Sequence, residues 1–151
     1  MADLAVRVTQ DRFDPGTELN AFLHESEGAG AAVTFTGVVR SSSGQKVDAL
    51  VLESYPELAI NQIEVMVETA TIRFGLLKVD VIHRYGRMMP GEPIVQVMTL
   101  APHRAAAFEG AEFLMDYLKT EAPFWKQETT PDGTNWVEAR SEDDAARLRW
   151  E

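Results

Sequence analysis

The chain contains no cysteine. This excludes disulfide bonds, thiolate metal ligands and a cysteine nucleophile, the three common uses of that residue. The three histidines, His24, His83 and His103, lie far apart and show neither HxxxH nor HxH spacing, so the sequence predicts no protein-bound zinc or iron. Neither the GxGxxG loop nor the GxxxxGK loop of nucleotide-binding proteins occurs. We therefore expect no metal site and no resident cofactor.

Long apolar runs are also missing. No stretch approaches the ~20 residues needed to cross a bilayer. The first residues, MADLAVRVTQDRF, lack the basic region and apolar block of a secretory signal. We therefore expect a cytoplasmic protein that does not bind membranes. The length of 151 residues and the hydrophobic content of 45% suit a single domain over 1–151 with a core of its own.

Positive charge is scarce. The chain has 14 Lys and Arg residues but 24 Asp and Glu residues, so its formal net charge is −10. Nucleic-acid binding depends on cations that neutralise phosphates, so this balance argues against it. The acids concentrate in 14–27, 53–68 and 138–151. Seven basic side chains lie mostly outside these runs: Arg40, Arg84, Arg87, His103, Arg104, Lys119 and Lys126. An acidic chain can therefore still form a local basic pocket for a small anion.

Hydrophobic periodicity and turn signals divide the chain into strands and helices. Strands are predicted at 4–10, 28–40, 47–55, 76–86 and 92–102, and a hairpin at 124–139 around 131–133. Helices are predicted at 14–26, 56–75, 103–120 and 141–150. We expect 28–40 and 47–55 to form a hairpin, and 76–86 and 92–102 to be joined through the turn MMPGE. The pattern predicts an α+β fold with mainly antiparallel sheets and three to four helices.

Helix ends and helix faces can also be predicted. Asp14 is a candidate N-cap with Pro15 at the first helical position, and Gly75 is a natural stop for the longest helix. Apolar residues at helical spacing define the buried face of that longest helix: Leu58, Ile60, Ile63, Val67, Ala70 and Phe74. The corresponding face of the helix over 103–120 consists of Phe108, Ala111, Met115 and Leu118.

Two of the chain's four lysines lie seven residues apart in MDYLKTEAPFWKQE, positions 115–128. Lys119 ends its predicted helix, where a cation is favoured by the helix dipole, and this structural role is the commoner one for such a residue. Lys126 follows PFW at the start of a strand, where partial burial would lower its pKa and make it a nucleophile or proton carrier. The alternative for Lys126 is a side chain that only covers the aromatic rings with its stem.

Two other segments carry candidate ligand-binding residues. His103 and Arg104 start a helix, where free backbone N–H groups attract anions, although a surface pair is the commoner outcome. Arg40 ends an apolar strand beside a Ser/Gly loop, a common place for ligand contacts. The motif VIHRYGRMMPGE adds a histidine and two arginines, for which structural roles are the better interpretation. From the residues alone, these features indicate an anion pocket but no particular reaction.

The chain resembles the large, catalytic subunit of molybdopterin synthase. The resemblance runs from about position 4 to the C-terminus and rests on the segments VTFTGVVR, LESYPELA, VIHRYGRMMPGE, HRAAAFEGAEFLMDYLKTEAPFWKQE and WVEAR. It implies an α/β-hammerhead-like fold and a sulfurtransferase of molybdenum cofactor biosynthesis. That reaction converts cyclic pyranopterin monophosphate (precursor Z) into molybdopterin by installing two dithiolene sulfurs. The sulfur comes from a thiocarboxylate on the Gly-Gly tail of a small ubiquitin-like subunit, and the implied assembly is a heterotetramer around a homodimer of large subunits.

The resemblance also implies site residues. Lys119 and Lys126 match the family's essential lysines and are expected to be catalytic. The implied substrate contacts are Val38, Val39, Arg40, His103, Arg104, Lys119, Lys126, Gln127 and Glu128. Val38 departs from the pattern, because some relatives have lysine there, so only a backbone contact is expected at this position. Arg40, His103 and Arg104 would hold phosphate and pterin, Lys119 would carry a proton near the donor tail, and Glu128 would orient Lys126.

One geometric conflict arises from these expectations. In an unbroken helix over 103–120, Arg104 and Lys119 would lie roughly 22 Å apart, too far for both to contact one small substrate. We therefore expect a pocket shared across a dimer, unless the helix is broken. Two alternatives to the enzyme remain: a non-catalytic module that binds a ubiquitin-like Gly-Gly tail, and a carrier of a pterin or nucleotide. A non-catalytic module should have lost Arg40 or one of the two lysines, and this chain keeps all three.

Overall fold

The computed structural model describes residues 3–40, 49–130, 133–137, 145–146, 148 and 150. Within these residues the chain forms three α-helices and eight β-strands. The strands are β1 (Asp3–Thr9), β2 (Ala31–Val38), β3 (Ala49–Ser54), β4 (Lys78–Arg84), β5 (Gly86–Met88), β6 (Pro93–Ala101), β7 (Phe124–Thr130) and β8 (Gly133–Val137). The helices are α1 (Pro15–Leu23), α2 (Pro56–Phe74) and α3 (Arg104–Thr120).

The strands form two four-stranded sheets. The first sheet has the order β1-β4-β6-β2 and the second the order β5-β3-β7-β8. Every pairing is antiparallel except that of β1 with β4, which is parallel. The prediction of an α+β fold with mainly antiparallel sheets is therefore confirmed. The predicted hairpin after Pro123 is confirmed too, because Thr130 of β7 pairs with Gly133 of β8.

The predicted hairpin of β2 with β3 is wrong. β2 pairs with β6 in the first sheet, whereas β3 pairs with β5 and β7 in the second. The register of β2 shifts between Gly37 and Val38, and the next residue, Val39, donates its N–H to Glu92 O at 2.9 Å. Val39 is then buried among residues of β3 and β5, so the chain passes from one sheet to the other at this point. Alternation of apolar residues identifies a strand but does not choose its partner.

The helix ends agree with the sequence-based predictions. The carboxylate of Asp14 accepts a hydrogen bond from Thr17 N–H at 3.2 Å, which caps α1, and Pro15 is its first residue. Gly75 ends α2 in the left-handed region, at φ 68°, and its N–H donates to Thr71 O. None of the helices in the described parts of the chain is long and apolar enough to cross a membrane.

The main core lies between the first sheet and the helices α2 and α3. Ile63, Val67 and Ala70 of α2 are fully buried, as predicted. Ala111 and Leu118 of α3 are buried, as predicted. The prediction is wrong for Leu58 of α2, which is 45% exposed, and for Phe108 of α3, which is 61% exposed while its neighbour Ala107 is fully buried. Adjacent helical positions differ by about 100°, so a face predicted from periodicity alone can be displaced by one residue.

The C-terminal end of the chain packs on both long helices. The Trp150 ring meets Phe74 and Phe113 edge-on, with centroids 5.7 Å apart in each pair. Its indole N–H donates to the Asp116 carboxylate, and Arg73 donates to Trp150 O at 2.8 Å. Most of the fourth predicted helix, 141–150, lies outside the described residues.

A close backbone approach at Gly30 gives the first testable prediction. A Cβ atom at Gly30 would lie 2.3 Å from the Pro102 carbonyl oxygen, whereas one at Gly16 would meet nothing closer than 3.8 Å. Gly30 N–H also donates to Ala101 O, so neither backbone segment can move away easily. We expect Gly30→Ala to lower the free energy of unfolding by about 1–3 kcal/mol. Thermal melting measures this loss, and Gly16→Ala is the matched control; equal melting temperatures for the two variants would contradict the prediction.

Candidate active site

Lys119 lies in the last turn of α3, and its side chain is exposed. The helix closes just beyond it, because Glu121 N–H and Ala122 N–H both donate to Tyr117 O, at 2.8 and 3.3 Å. The hydroxyl of Thr120 donates to Asp116 O at 2.7 Å and satisfies another carbonyl of this last turn. These bonds fix the backbone that carries Lys119 while its amine remains accessible to a ligand.

Two contacts hold the connection between Lys119 and β7. Ser54 Oγ donates to Pro123 O at 3.1 Å. The imidazole of His83 stacks on Phe124, with ring centroids 3.8 Å apart and an angle of 14° between the planes. His83 is buried, and its Nδ1 lies 2.8 Å from Arg84 O, so the predicted structural role of this histidine is confirmed. Ser54 was not identified from the sequence, because it lies 69 positions before the carbonyl it contacts.

Lys126 lies on an inner strand of the second sheet. Its register partners are Leu52 on β3 and Val137 on β8. Glu128, at the alternate position of β7, is opposite Leu50 and Asn135. Gln127 lies between them, opposite Val51 and Trp136. The side chains of 125–137 lie outside the described residues, so the lowered pKa of Lys126 stays a prediction.

The end of β2 meets this part of the second sheet. Val39 is buried in one cluster with Leu50, Leu52 and Met88. Since Leu50 and Leu52 are the register partners of Glu128 and Lys126, Val39 lies one strand away from both positions. The residues on either side of Val39 in the chain are not buried: Val38 is 52% exposed, and Arg40 is also exposed. Arg40 therefore extends from a segment that is anchored beside the strand of Lys126.

An ionic group of Glu92 with Arg12 and Arg84, of which only Arg84 is buried, supports the turn next to Val39. The carboxylate of Glu92 accepts a hydrogen bond from Met89 N–H, and this bond, with the charges of Arg12 and Arg84, lowers the pKa of Glu92. Arg84 is buried, as the structural interpretation of its motif predicted, and donates to Gln10 O at 3.1 Å. Because Glu92 O accepts the N–H of Val39, this group helps to fix the backbone before Arg40.

A cleft of about 450 Å³ opens on the other side of β3. Its walls are Gln10, Val51, Leu52, Glu53, Ser54, Tyr55, Tyr85 and Gly86. β5 pairs with β3 only over Leu50–Leu52. Among the described residues, no strand therefore pairs with Glu53 and Ser54 on the β5 side, and the cleft lies there. No sequence signal predicted the cleft, since it depends on where a three-residue strand ends.

The two lysines and the end of β2 lie at one end of the first sheet. The helix α3 starts just after β6 ends and packs back over β6 and β2. Its last turn therefore lies near Pro93, where β6 begins and where Val38 pairs. The structure thus places the two lysine-bearing segments and Arg40 at the same end of the sheet, together with four neighbours: Val38, Val39, Gln127 and Glu128.

His103 and Arg104 lie at the opposite end. Ala101, two residues before His103, pairs with Ala31 at the start of β2, whereas Arg40 follows the end of β2. The helix between Arg104 and Lys119 is unbroken, so their Cα atoms are roughly 22 Å apart. The seven residue steps of β2, at about 3.4 Å each, separate the two ends by about 24 Å. One chain therefore does not bring His103 and Arg104 to the other proposed site residues.

Comparison with known proteins identifies the family. The model of the family described as MoaE protein matches residues 8–121. The chain belongs to the MoaE family. Membership confirms the resemblance found in the sequence and gives the chain a role in molybdenum cofactor biosynthesis.

Relatives of the MoaE family match this chain over nearly its whole length. The molybdopterin synthase catalytic subunit of Pseudomonas aeruginosa is 48% identical over 149 residues, which are 98% of this chain and 99% of that protein. The MoaE protein structure from Burkholderia ambifaria is 46% identical, has a TM-score of 0.82, and the match covers 99% of this chain and 98% of the other. A Helicobacter pylori structure, described as a complex of subunits 1 and 2 of molybdopterin-converting factor, shares the fold at 22% identity, with a TM-score of 0.73 over 91% of this chain and 92% of the other.

Proposed function

We propose that this chain is the catalytic subunit of a molybdopterin synthase, a sulfurtransferase. It transfers sulfur from the C-terminal thiocarboxylate of a small ubiquitin-like subunit to cyclic pyranopterin monophosphate and so forms the dithiolene of molybdopterin. Each transfer makes one carbon–sulfur bond on the substrate and breaks a carbon–oxygen bond of the same carbon. Water then cleaves the acyl–sulfur bond and the tail leaves as a carboxylate, so one dithiolene consumes two thiocarboxylates.

The observation that carries this proposal is the grouping of the basic segments in a MoaE protein. Lys119, Arg40 and the backbone position of Lys126 lie at one end of the sheet, and their segments are held by hydrogen bonds, by ring stacking and by a buried apolar cluster. In a chain with a net charge of −10, such a grouping suits an anionic phosphate ester. A non-catalytic module would not need to keep both lysines and Arg40.

Each residue has a proposed role. Lys119 is exposed at a helix end and carries a proton where the donor tail arrives. Lys126 stabilises the negative charge that develops as sulfur attacks, and Glu128 orients it from the alternate strand position. Arg40 binds the phosphate through charge-assisted hydrogen bonds. Val38, Val39 and Gln127 contact the substrate, and Val38 can do so only through its backbone.

The sulfur donor must be another chain. This chain has no cysteine, so it has no side chain on which a transferable sulfur could be held. The relatives are named as one subunit of a synthase, and the H. pylori structure that shares the fold is a complex of two subunits. We propose that the partner is a small ubiquitin-like protein whose Gly-Gly tail reaches Lys119.

We also propose that each pocket is shared between two copies of this chain. Lys119, Lys126 and Arg40 come from one protomer, and His103 and Arg104 come from the other. The support is the separation of roughly 22 Å along the unbroken helix α3. A two-fold dimer would contain two such pockets.

The requirement for a donor chain can be tested directly. We expect the purified chain to form no molybdopterin from precursor Z and free sulfide, and to form it once thiocarboxylated small subunit is added. The measurement is product formation in both mixtures, with small subunit that carries an ordinary C-terminal carboxylate as the control. Comparable turnover with sulfide alone would overturn the donor assignment. Stable binding of the small subunit without any product would favour the non-catalytic module.

A further inference from the structure

The two lysines of the proposed site are carried by two different layers of the fold. Lys119 lies in the last turn of α3, and this helix packs on β6 and β2 of the first sheet. Lys126 belongs to β7, an inner strand of the second sheet. The hydrogen bonds of a sheet fix only the strands of that sheet. The separation of the two amines therefore depends on how the two layers are held against each other.

His83 contacts the second sheet at a point between the two lysines in the chain. It lies on β4, an inner strand of the first sheet, where its register partners are Val8 and Val95. Its imidazole stacks on Phe124, which is the first residue of β7 and precedes Lys126 by two positions. The stack thus joins the middle of the first sheet to the start of the strand that carries Lys126.

Both rings of this stack are held in place. A carbonyl oxygen can only accept, so the 2.8 Å contact between His83 Nδ1 and Arg84 O means that Nδ1 donates its proton to that oxygen. This bond fixes the orientation of the imidazole, and Arg84 is itself buried and bonded to Gln10 O. Phe124 is partly buried against the main core, and its N–H donates to Ala122 O at 2.8 Å. The stack therefore relates the position of β4 to the start of β7.

We propose that His83 is a positioning residue of the sulfur-transfer reaction, because its stack on Phe124 sets the place of Lys126 relative to Lys119. This inference rests on the proposed function, in which both amines act on one substrate. Lys126 lies about 7 Å along the strand from Phe124, so a tilt of about 10° at Phe124 would move it by about 1 Å. A displacement of that size in a reacting group lowers a rate by about 100-fold.

Two substitutions separate the two contacts of His83. His83→Phe keeps a flat ring for the stack and loses the donor, whereas His83→Asn keeps an N–H near the Nδ1 position and loses the ring. We expect His83→Asn to lower kcat about 10–100-fold and to change KM far less, because Lys126 is then misplaced for the transition state. His83→Phe should keep kcat within about 3-fold of the unaltered chain, although the lost hydrogen bond lowers its melting temperature.

Val81→Ala is the matched control for a purely structural effect. Val81 lies at the alternate position of β4, on the same face of the sheet as His83, and is fully buried in the main core. Its truncation leaves a cavity and lowers the melting temperature but does not touch the stack. We therefore expect an unchanged kcat well below the melting temperature. If His83 only stabilised the fold, kcat would follow the folded fraction in all three variants.

The stack can also be removed from its other side, which covers the case in which His83→Asn fails to fold. We expect Phe124→Leu to lower kcat as much as His83→Asn does. The double variant should be no slower than either single variant, because one contact cannot be lost twice. Losses that multiply would show that the two residues act independently and would overturn the proposal. A His83→Phe variant as slow as His83→Asn would overturn it too.

A distance measurement tests the positioning without the reaction. Because the chain has no cysteine, spin labels can be attached through Glu109→Cys on α3 and Arg87→Cys on β5, two exposed positions. Pulsed electron paramagnetic resonance, with an excess of unlabelled chain, then reports the distance between the two layers. We expect His83→Asn and Phe124→Leu to shift or broaden this distance, and His83→Phe and Val81→Ala to preserve it.

The two measurements distinguish failure of this inference from failure of the proposed function. The same distance distribution in His83→Asn, Phe124→Leu and the unaltered chain would refute the positioning role, whatever the chain catalyses. A distance that changes as expected, in a chain that forms no molybdopterin with thiocarboxylated small subunit, would refute the proposed function and leave the stack as the joint between the two layers.

Discussion

Replacing Lys119 by alanine is expected to reduce molybdopterin formation by at least ~100-fold, the usual loss when a proton-transferring side chain is removed. The fold should survive, because the Lys119 side chain is exposed and the last turn of α3 is closed by backbone and Thr120 hydrogen bonds that the substitution leaves in place. The measurement is single-turnover conversion of precursor Z with thiocarboxylated small subunit. Saturating substrate should not restore the rate, since the proposed role lies in the chemical step.

Glu109→Ala is the matched control for this variant. Glu109 is an exposed residue of the same helix, nearly three turns before Lys119, and it has no proposed role in the site. Its rate should equal that of the unaltered chain, and the melting temperatures of both variants should lie within about 2 °C of it. Near-normal product from Lys119→Ala would remove this residue from the mechanism.

Mixing two inactive variants, Lys119→Ala and Arg104→Ala, is expected to restore activity. In a mixed dimer with shared pockets, one pocket carries both substitutions and the other carries neither. Random exchange of equal amounts should therefore leave about a quarter of all pockets intact, and about a quarter of the unaltered activity. The reason is geometric, because α3 holds these two residues roughly 22 Å apart within each chain.

The mixing experiment needs proof that subunits exchange. Differently tagged variants, copurified after mixing, supply that proof. Lys119→Ala mixed with itself in two tagged forms is the control and should stay inactive. Proven exchange without any recovery would show that Arg104 and Lys119 do not serve one pocket from two protomers.

Local features were predictable because their interactions span few residues. The Asp14 cap, the Gly75 stop and the extent of α3 depend on hydrogen bonds between residues three to five apart, so the sequence carries each of them in one short window. The same holds for the seven-residue spacing of Lys119 and Lys126 and for the segment matches that identified the family. The errors at Leu58 and Phe108 are limited to single positions of two helices that were predicted correctly.

By itself the sequence determined the three helices α1, α2 and α3, most strands, the α+β class, the family and the candidate site residues. Only the tertiary structure decided which strands pair, and so which site residues meet. β2 joins β6 rather than its sequence neighbour β3, and this places Arg40 and His103 at opposite ends of one sheet. The pairing of β3 with β7 brings Ser54 to Pro123, and the passage of the chain from β2 to the second sheet brings Val39 against Leu52. Such contacts join residues far apart in the chain, and they depend on how whole surfaces pack together, for which local periodicity carries no information.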